Sequence, residues 1–166
     1  RKNKMAVVVN TFLGEIYYLS DAGVTDHDAY YNSTSNIPPA DFATDFTKIG
    51  TFSDDSSLKV TKDGEVTASD GKSITFGYKS DISLPIIAQD DTVVAAFEAR
   101  VGVVEDCVLL VKYTNRAGGL LIRPNAWIIE EDRNFGKNAG TKFTIVGSTK
   151  GQTKGELRKD VTFTAP

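Results

Sequence analysis

The segment from Leu58 to Ile87 constrains this chain more than any other. Its second half alternates. Ile74, Phe76 and Tyr78 fall on one side, and Thr75, Gly77 and Lys79 on the other. A period of two marks a half-buried strand, because successive side chains of an extended backbone point to opposite faces. Two Asp-Gly pairs, Asp63-Gly64 and Asp70-Gly71, punctuate the segment. Such pairs supply the positive φ angles of a tight hairpin turn. The first half differs: from Lys59 to Ser73 only Val60, Val66 and Ala68 are apolar. A hairpin with so little to bury is expected to project and to find its partners on another subunit or in water.

The rest of the chain reads as strands around that hairpin. Ala6 to Leu19 is β-branched and aromatic, one or two strands bent at Gly14. Ser20 to Asp41, with Gly23 and Pro38-Pro39, reads as a long polar loop of the kind that is usually functional. Phe46 to Phe52 is a short strand. Gln89 to Val101 is the one helix, capped by Asp90 or Asp91 and stopped at Gly102. Its apolar stripe is Val93, Val94, Phe97 and Val101. Val103 to Tyr113 is a nearly continuous apolar strand. Leu120 to Arg123, Ala126 to Ile129, Thr141 to Val146 and Asp160 to Thr164 are further strands, with polar loops over Glu130–Gly140 and Gly147–Gly155. No repeat or linker divides the 166 residues. The expected fold is therefore mainly β, α+β in class. It is one domain over 1–166, a β-sandwich or small barrel with a long projecting β-hairpin and one packed α-helix.

Composition removes most chemistry. The net charge of -3 gives no global attraction to nucleic acid or to an anionic membrane, although lysines and arginines gather in the last third. No apolar run reaches the roughly 20 residues of a membrane span. The apolar stretch behind the basic start, Met5 to Val9, is too short for a signal-peptide core. A single cysteine, Cys107, forbids an internal disulfide and reads as a small buried hydrophobe. A single histidine, His27, sits in a polar loop and leaves little room for zinc or nucleophile–histidine chemistry. Glu130-Glu131-Asp132 reads as solvated carboxylates. Gly118-Gly119 leads into a strand, not into the helix that a phosphate loop needs. No catalytic set, metal site or cofactor site is expected.

Four stretches, taken in order, resemble the tail tube (major tail) protein family of long-tailed bacteriophages and the inner tubes of contractile tails. Gly14-Glu15-Ile16-Tyr17-Tyr18 resembles the opening strand. Phe46-Thr47-Lys48-Ile49-Gly50 resembles the family's aromatic-x-x-apolar-Gly turn. Leu58 to Ile87 resembles its long hairpin, and the helix from Gln89 resembles the one packed on its sandwich. The match is one of pattern and order over roughly Gly14 to Val101.

The resemblance implies a virion structural protein, assembled in the host cytoplasm, whose hexameric rings stack into a tube for DNA ejection. It implies homo-oligomers, contacts with other tail proteins, transient passage of DNA without specific binding, and no membrane. The lumen or inter-subunit residues would be those of the hairpin: Lys59, Thr61, Lys62, Asp63, Glu65, Thr67, Asp70, Lys72, Lys79 and Asp81. The Ser20–Asp41 loop and the C-terminal segment would join rings. Two other readings stay open. One is a monomeric sandwich that binds carbohydrate or another ligand through Tyr17, Tyr30, Tyr31 and Trp127. The other is a neck, tail-terminator or head-decoration protein.

Overall fold

The structure is a computed structural model that describes residues 13–19, 24–51, 56–87, 91–104, 108–123, 126–133 and 141–164. Alternating residues build two sheets. The larger contains β1 (Gly14–Leu19), β2 (Asn36–Ile37), β3 (Phe46–Thr51), β8 (Leu109–Tyr113), β9 (Gly119–Ile122) and β12 (Arg158–Phe163), in the order β2-β12-β9-β8-β1-β3. The smaller contains β4 (Ser57–Lys62), β7 (Tyr78–Ile87), β10 (Ala126–Arg133) and β11 (Thr141–Gly151), in the order β10-β11-β7-β4. Neighbours are antiparallel, except β2 with β12.

The inner faces of the two sheets make one core. Ile16, Leu109, Val111 and Ile122 meet Ile82, Leu84, Ile86, Trp127, Ile129, Phe143 and Ile145, all buried. The helix α3 (Asp91–Glu98) adds Phe97, stacked on Phe143 with ring centroids 4.7 Å apart. Val94 and Val101 pack at the edge of this cluster. Both sheets are open, so the architecture is a sandwich and not a barrel, as the period-two pattern with one buried face allows.

The other face of the large sheet is buried too. Along β1, Ile16 and Tyr18 point into the sandwich while Tyr17 and Leu19 point outward. Tyr17, Leu19, Val108, Leu110, Leu121 and Val161 form a second core with Tyr31, Ile37 and Phe46. This corrects the expectation of a long polar loop before β3. The segment folds into α1 (His27–Ser33), β2 and α2 (Pro39–Asp45), so there are three α-helices among the described residues where one was expected. The local reasons are legible in retrospect. Asp26 Oδ1 accepts from the Ala29 amide and caps α1. Pro39 stands at the first position of α2, where its missing N–H costs nothing. Covering Tyr31 and Ile37 favours the ordered segment, by about 1.5–3 kcal/mol for the isoleucine, and the remaining contacts of the second core share in offsetting its ordering cost.

Three further expectations change. The strand over Val103–Tyr113 begins only at Leu109, and Val103 and Val104 are exposed. Glu130 to Arg133 belong to β10, and Gly147 to Gly151 to β11, because each pairs across the sheet where loops were expected. His27 opens α1 and is half-buried, not a solvated loop residue. Ala6 to Phe12, Cys107 and the expected helix cap Asp90 lie outside the described residues.

Candidate functional site

The candidate site is the hairpin, which extends as an arm beyond the sandwich. β4 pairs with β7 from Ser57↔Ser83 to Lys62↔Tyr78. The register continues without a slip. The Asp63 amide donates to the Gly77 carbonyl (2.8 Å) and the Phe76 amide to the Gly64 carbonyl (3.2 Å). Then β5 (Glu65–Thr67) pairs with β6 (Ser73–Thr75). β11 ends beside Tyr78 at Gly151, and among the described residues no third strand pairs with β5 or β6. The five residue steps from Asp63 to Ala68 therefore carry the arm about 17 Å past the sheet at 3.3–3.4 Å per step.

Only one Asp-Gly pair turns the chain. At the tip the Ala68 amide donates to the Lys72 carbonyl and the Gly71 amide to the Ala68 carbonyl. Asp70 Oδ1 accepts from the Lys72 amide (3.0 Å), and Gly71 holds φ +82. Gly64 also holds positive φ (+90) but lies inside the ladder, where it adjusts the strand instead of reversing it. Asp-Gly supplies the φ, and the cross-strand register decides whether that φ makes a turn.

Residues paired across an antiparallel ladder share a face, so the register sorts the candidate residues. Lys59, Thr61, Asp63, Glu65, Thr67, Lys79 and Asp81 lie on one face with Ser57, Ser73 and Ser83. Lys62 and Lys72 lie on the other, and Asp70 sits in the tip turn. The ten lumen or inter-subunit candidates are thus divided between two faces and the tip.

The first face is polar and charge-balanced. Lys59 is directly opposite Asp81, and Lys79 Nζ is 3.9 Å from Asp81. Lys150, brought alongside by β11, reaches Asp63 at 3.2 Å. Glu65 accepts a hydrogen bond from Ser73, which, with Lys62 nearby, holds its carboxyl below the usual range. Lys59, Lys79 and Lys150 thus stand among Asp63, Glu65 and Asp81, three cations among three anions. These pairs are exposed and each contributes less than about 1 kcal/mol. Their consequence is the absence of a net field.

The second face is apolar and continues the sandwich core outward. Leu58 and Ile82 pack inside, and Val60, Tyr78, Phe76, Val66 and Ile74 follow toward the tip. Val66, Ile74 and Phe76 are 50%, 52% and 65% exposed. The arm is therefore amphipathic, not polar on both sides as its first strand suggested. The apolar side comes chiefly from the returning strand.

Other places in the molecule offer less. A recess of about 120 Å³ under α3 is lined by Tyr18, Ile49, Phe97 and Arg100, and Arg100 donates to the Tyr18 hydroxyl (2.9 Å) while lying 4.3 Å over its ring. A polar recess holds Arg123, which is paired with Asp28. Among the described residues no three histidine, cysteine or carboxylate side chains are placed to hold a metal, and no helix is long and apolar enough to cross a membrane. The aromatic patch expected of a ligand-binding sandwich does not form. Trp127 lies between the sheets at 1% exposure, Tyr17 is buried against Phe42 of α2, Tyr31 is the buried residue of α1, and Tyr30 beside it is half-buried. Burial raises the Tyr31 hydroxyl to about 12, and that hydroxyl donates to the Gly155 carbonyl. Aromatic rings spaced for stacking on a sugar also satisfy a core, and here the core takes them.

No family model matches this sequence, and no curated protein does. Among solved structures, one chain from the virion of a native gene transfer agent particle resembles it. The likeness has a TM-score of 0.41 at 17% identity, over 72% of this chain and 89% of that one.

Proposed function

We propose that this chain is a structural protein of a virion. Copies of it associate through the arm into rings, and the rings stack into the tube of a phage-type tail. The observation that carries the reading is the arm itself: an apolar stripe that its own sandwich leaves uncovered, backed by a charge-balanced polar face. Exposed apolar surface of this kind marks a protein contact. β4 and β5 add an unpaired strand edge, which a neighbour's strand can extend.

The two faces take different tasks in a tube. The apolar face turns toward protein, and the polar face turns toward the channel. Affinity for a phosphate backbone grows with each cation that neutralises a phosphate. Lysines already opposed by carboxylates release few counterions, so DNA passes such a wall without being held. Hexameric rings and contacts with other tail proteins belong to the same proposal.

Negative-stain electron microscopy of the purified protein over a concentration series tests it. Tubes or stacked rings with a central hole support the reading. Single rings that never stack favour a neck or terminator role. Monomers at every concentration end it.

A further inference from the structure

The arm's apolar stripe has a counterpart on the same molecule. After α3 the chain passes through Val101, which bridges in parallel to Ile129 of β10, and the Gly102 amide donates to the Ile129 carbonyl. This ties the next two residues, Val103 and Val104, to the β10 edge. They are 48% and 67% exposed. β10 and β4 are the two opposite edges of the small sheet. Exposed apolar side chains therefore stand beside the β10 edge and on the arm that extends β4 and β7 at the other side of the sheet.

Carboxylates predominate along the β10 edge, and lysines stand beside the arm's apolar stripe. Glu98 ends α3, and Glu130, Glu131 and Asp132 run along β10; all four are exposed. On the arm, Lys62 and Lys72 flank the apolar stripe, and Lys154 lies 5.5 Å over the Tyr78 ring at its base. The arm's Asp63 and Glu65 lie on the other face. Lys62 and Lys72 are 3.6 Å from Glu65 and Asp70 and well exposed, so a neighbouring carboxylate can compete for them.

Resting on the self-assembly reading above, we infer that the apolar face of the arm docks on the Val103–Val104 corner of the next copy, with Lys62 and Lys72 facing that copy's acidic β10 edge. The contact is head-to-tail. Two different patches at opposite edges leave one of each free after every step, and such a chain closes into a ring when its rotation permits. An arm-to-arm contact would instead stop at a symmetric dimer.

The test uses two full-length variants, Ile74→Asp on the arm and Val104→Asp on the receiving corner, with native folding checked by circular dichroism. Both side chains are about half exposed or more, so both variants are expected to fold. Sedimentation velocity should show each variant as a monomer at concentrations where the unmodified chain associates. A one-to-one mixture should form a species of two protomers and stop there, because one intact arm meets one intact corner. If Val104→Asp assembles like the unmodified chain while Ile74→Asp does not, the corner is not the docking site, and self-assembly through the arm still stands. A mixture that stays monomeric overturns the head-to-tail contact. An unmodified chain that never associates overturns the parent reading instead.

Should Val104→Asp misfold, cysteine variants replace it. In a Cys107→Ser background, Ile74→Cys mixed with Val104→Cys should give disulfide-linked dimers that neither gives alone. No cross-link in the mixture overturns the inference.

Discussion

Replacing Phe76 with serine should separate the stability of one copy from its association with the next. Phe76 is 65% exposed on the arm. A buried phenylalanine covers about 150–250 Å², so docking would remove roughly 130 Å² more of it from water. At about 25 cal/mol per Å² that is about 3 kcal/mol for each contact. Phe76→Ser should therefore raise the concentration needed for assembly roughly 100-fold, at 1.4 kcal/mol per factor of ten. Within one copy the ring covers only its own ribbon near Gly64, with a ring carbon 3.5 Å from the site of a Gly64 Cβ. Folding stability should then fall by less than about 1 kcal/mol. Light scattering over a concentration series reads the first quantity, and urea unfolding followed by circular dichroism reads the second. Unchanged assembly, or a loss of several kcal/mol in the isolated copy, would refute the assignment of this ring to an interface.

Three further outcomes follow from the packing and the charges. Phe143→Ala removes a fully buried ring stacked on Phe97 and should cost about 3–5 kcal/mol in chemical denaturation. Gly77→Ala would set its Cβ 2.8 Å from the Gly151 carbonyl oxygen at the base of the arm, a backbone atom that cannot swing aside. A loss of about 1–3 kcal/mol and weakened assembly are expected, and a variant identical to the parent in both would show that the arm's base is loose. Glu15 accepts from Lys48 (2.6 Å) and from the Tyr17 hydroxyl (2.6 Å), and its carboxyl is held below the ordinary value, chiefly by Lys48. A lowered folded-state pKa favours the ionised form, so this contribution is complete above the ordinary carboxylate pKa and disappears as pH falls through the folded value. Glu15→Gln should therefore cost about 0.2–1 kcal/mol at pH 7 and nothing at a pH where both forms are uncharged, measured by thermal melts at the two pH values.

The resemblance of pattern named a hairpin and a family, and the structure refines the first and leaves the second as a proposal. Its contribution to function is the sorting of nine of the ten candidate residues onto two faces, with Asp70 in the tip turn. Sequence could have suggested that sorting only if the register were known. A shift of one residue would exchange every side chain between faces. The ladder from Ser57↔Ser83 to Thr67↔Ser73 removes that ambiguity. Lys150 was invisible as a member of the polar face, because it is far from Asp63 in the chain and comes beside it only through the pairing of β11 with β7.

Local chemistry determined what local chemistry can. Alternation over Ile74 to Tyr78 specified a strand, Asp70-Gly71 specified a turn, and Phe97 with its neighbours specified one helix face. The succession of short strand-like runs set the mainly β class. The tertiary structure decided the rest, because burial depends on partners distant in the chain. Tyr17, Tyr31 and Trp127 could be offered as a ligand platform from sequence, and only the packing of the two sheets and the short helices shows that they are core. Val66, Ile74 and Phe76 read as ordinary strand residues until the sandwich ended at Tyr78 and left them uncovered. Sequence fixes which side chains are apolar; only the assembled fold decides which of them still face water, and those are the residues left for a partner.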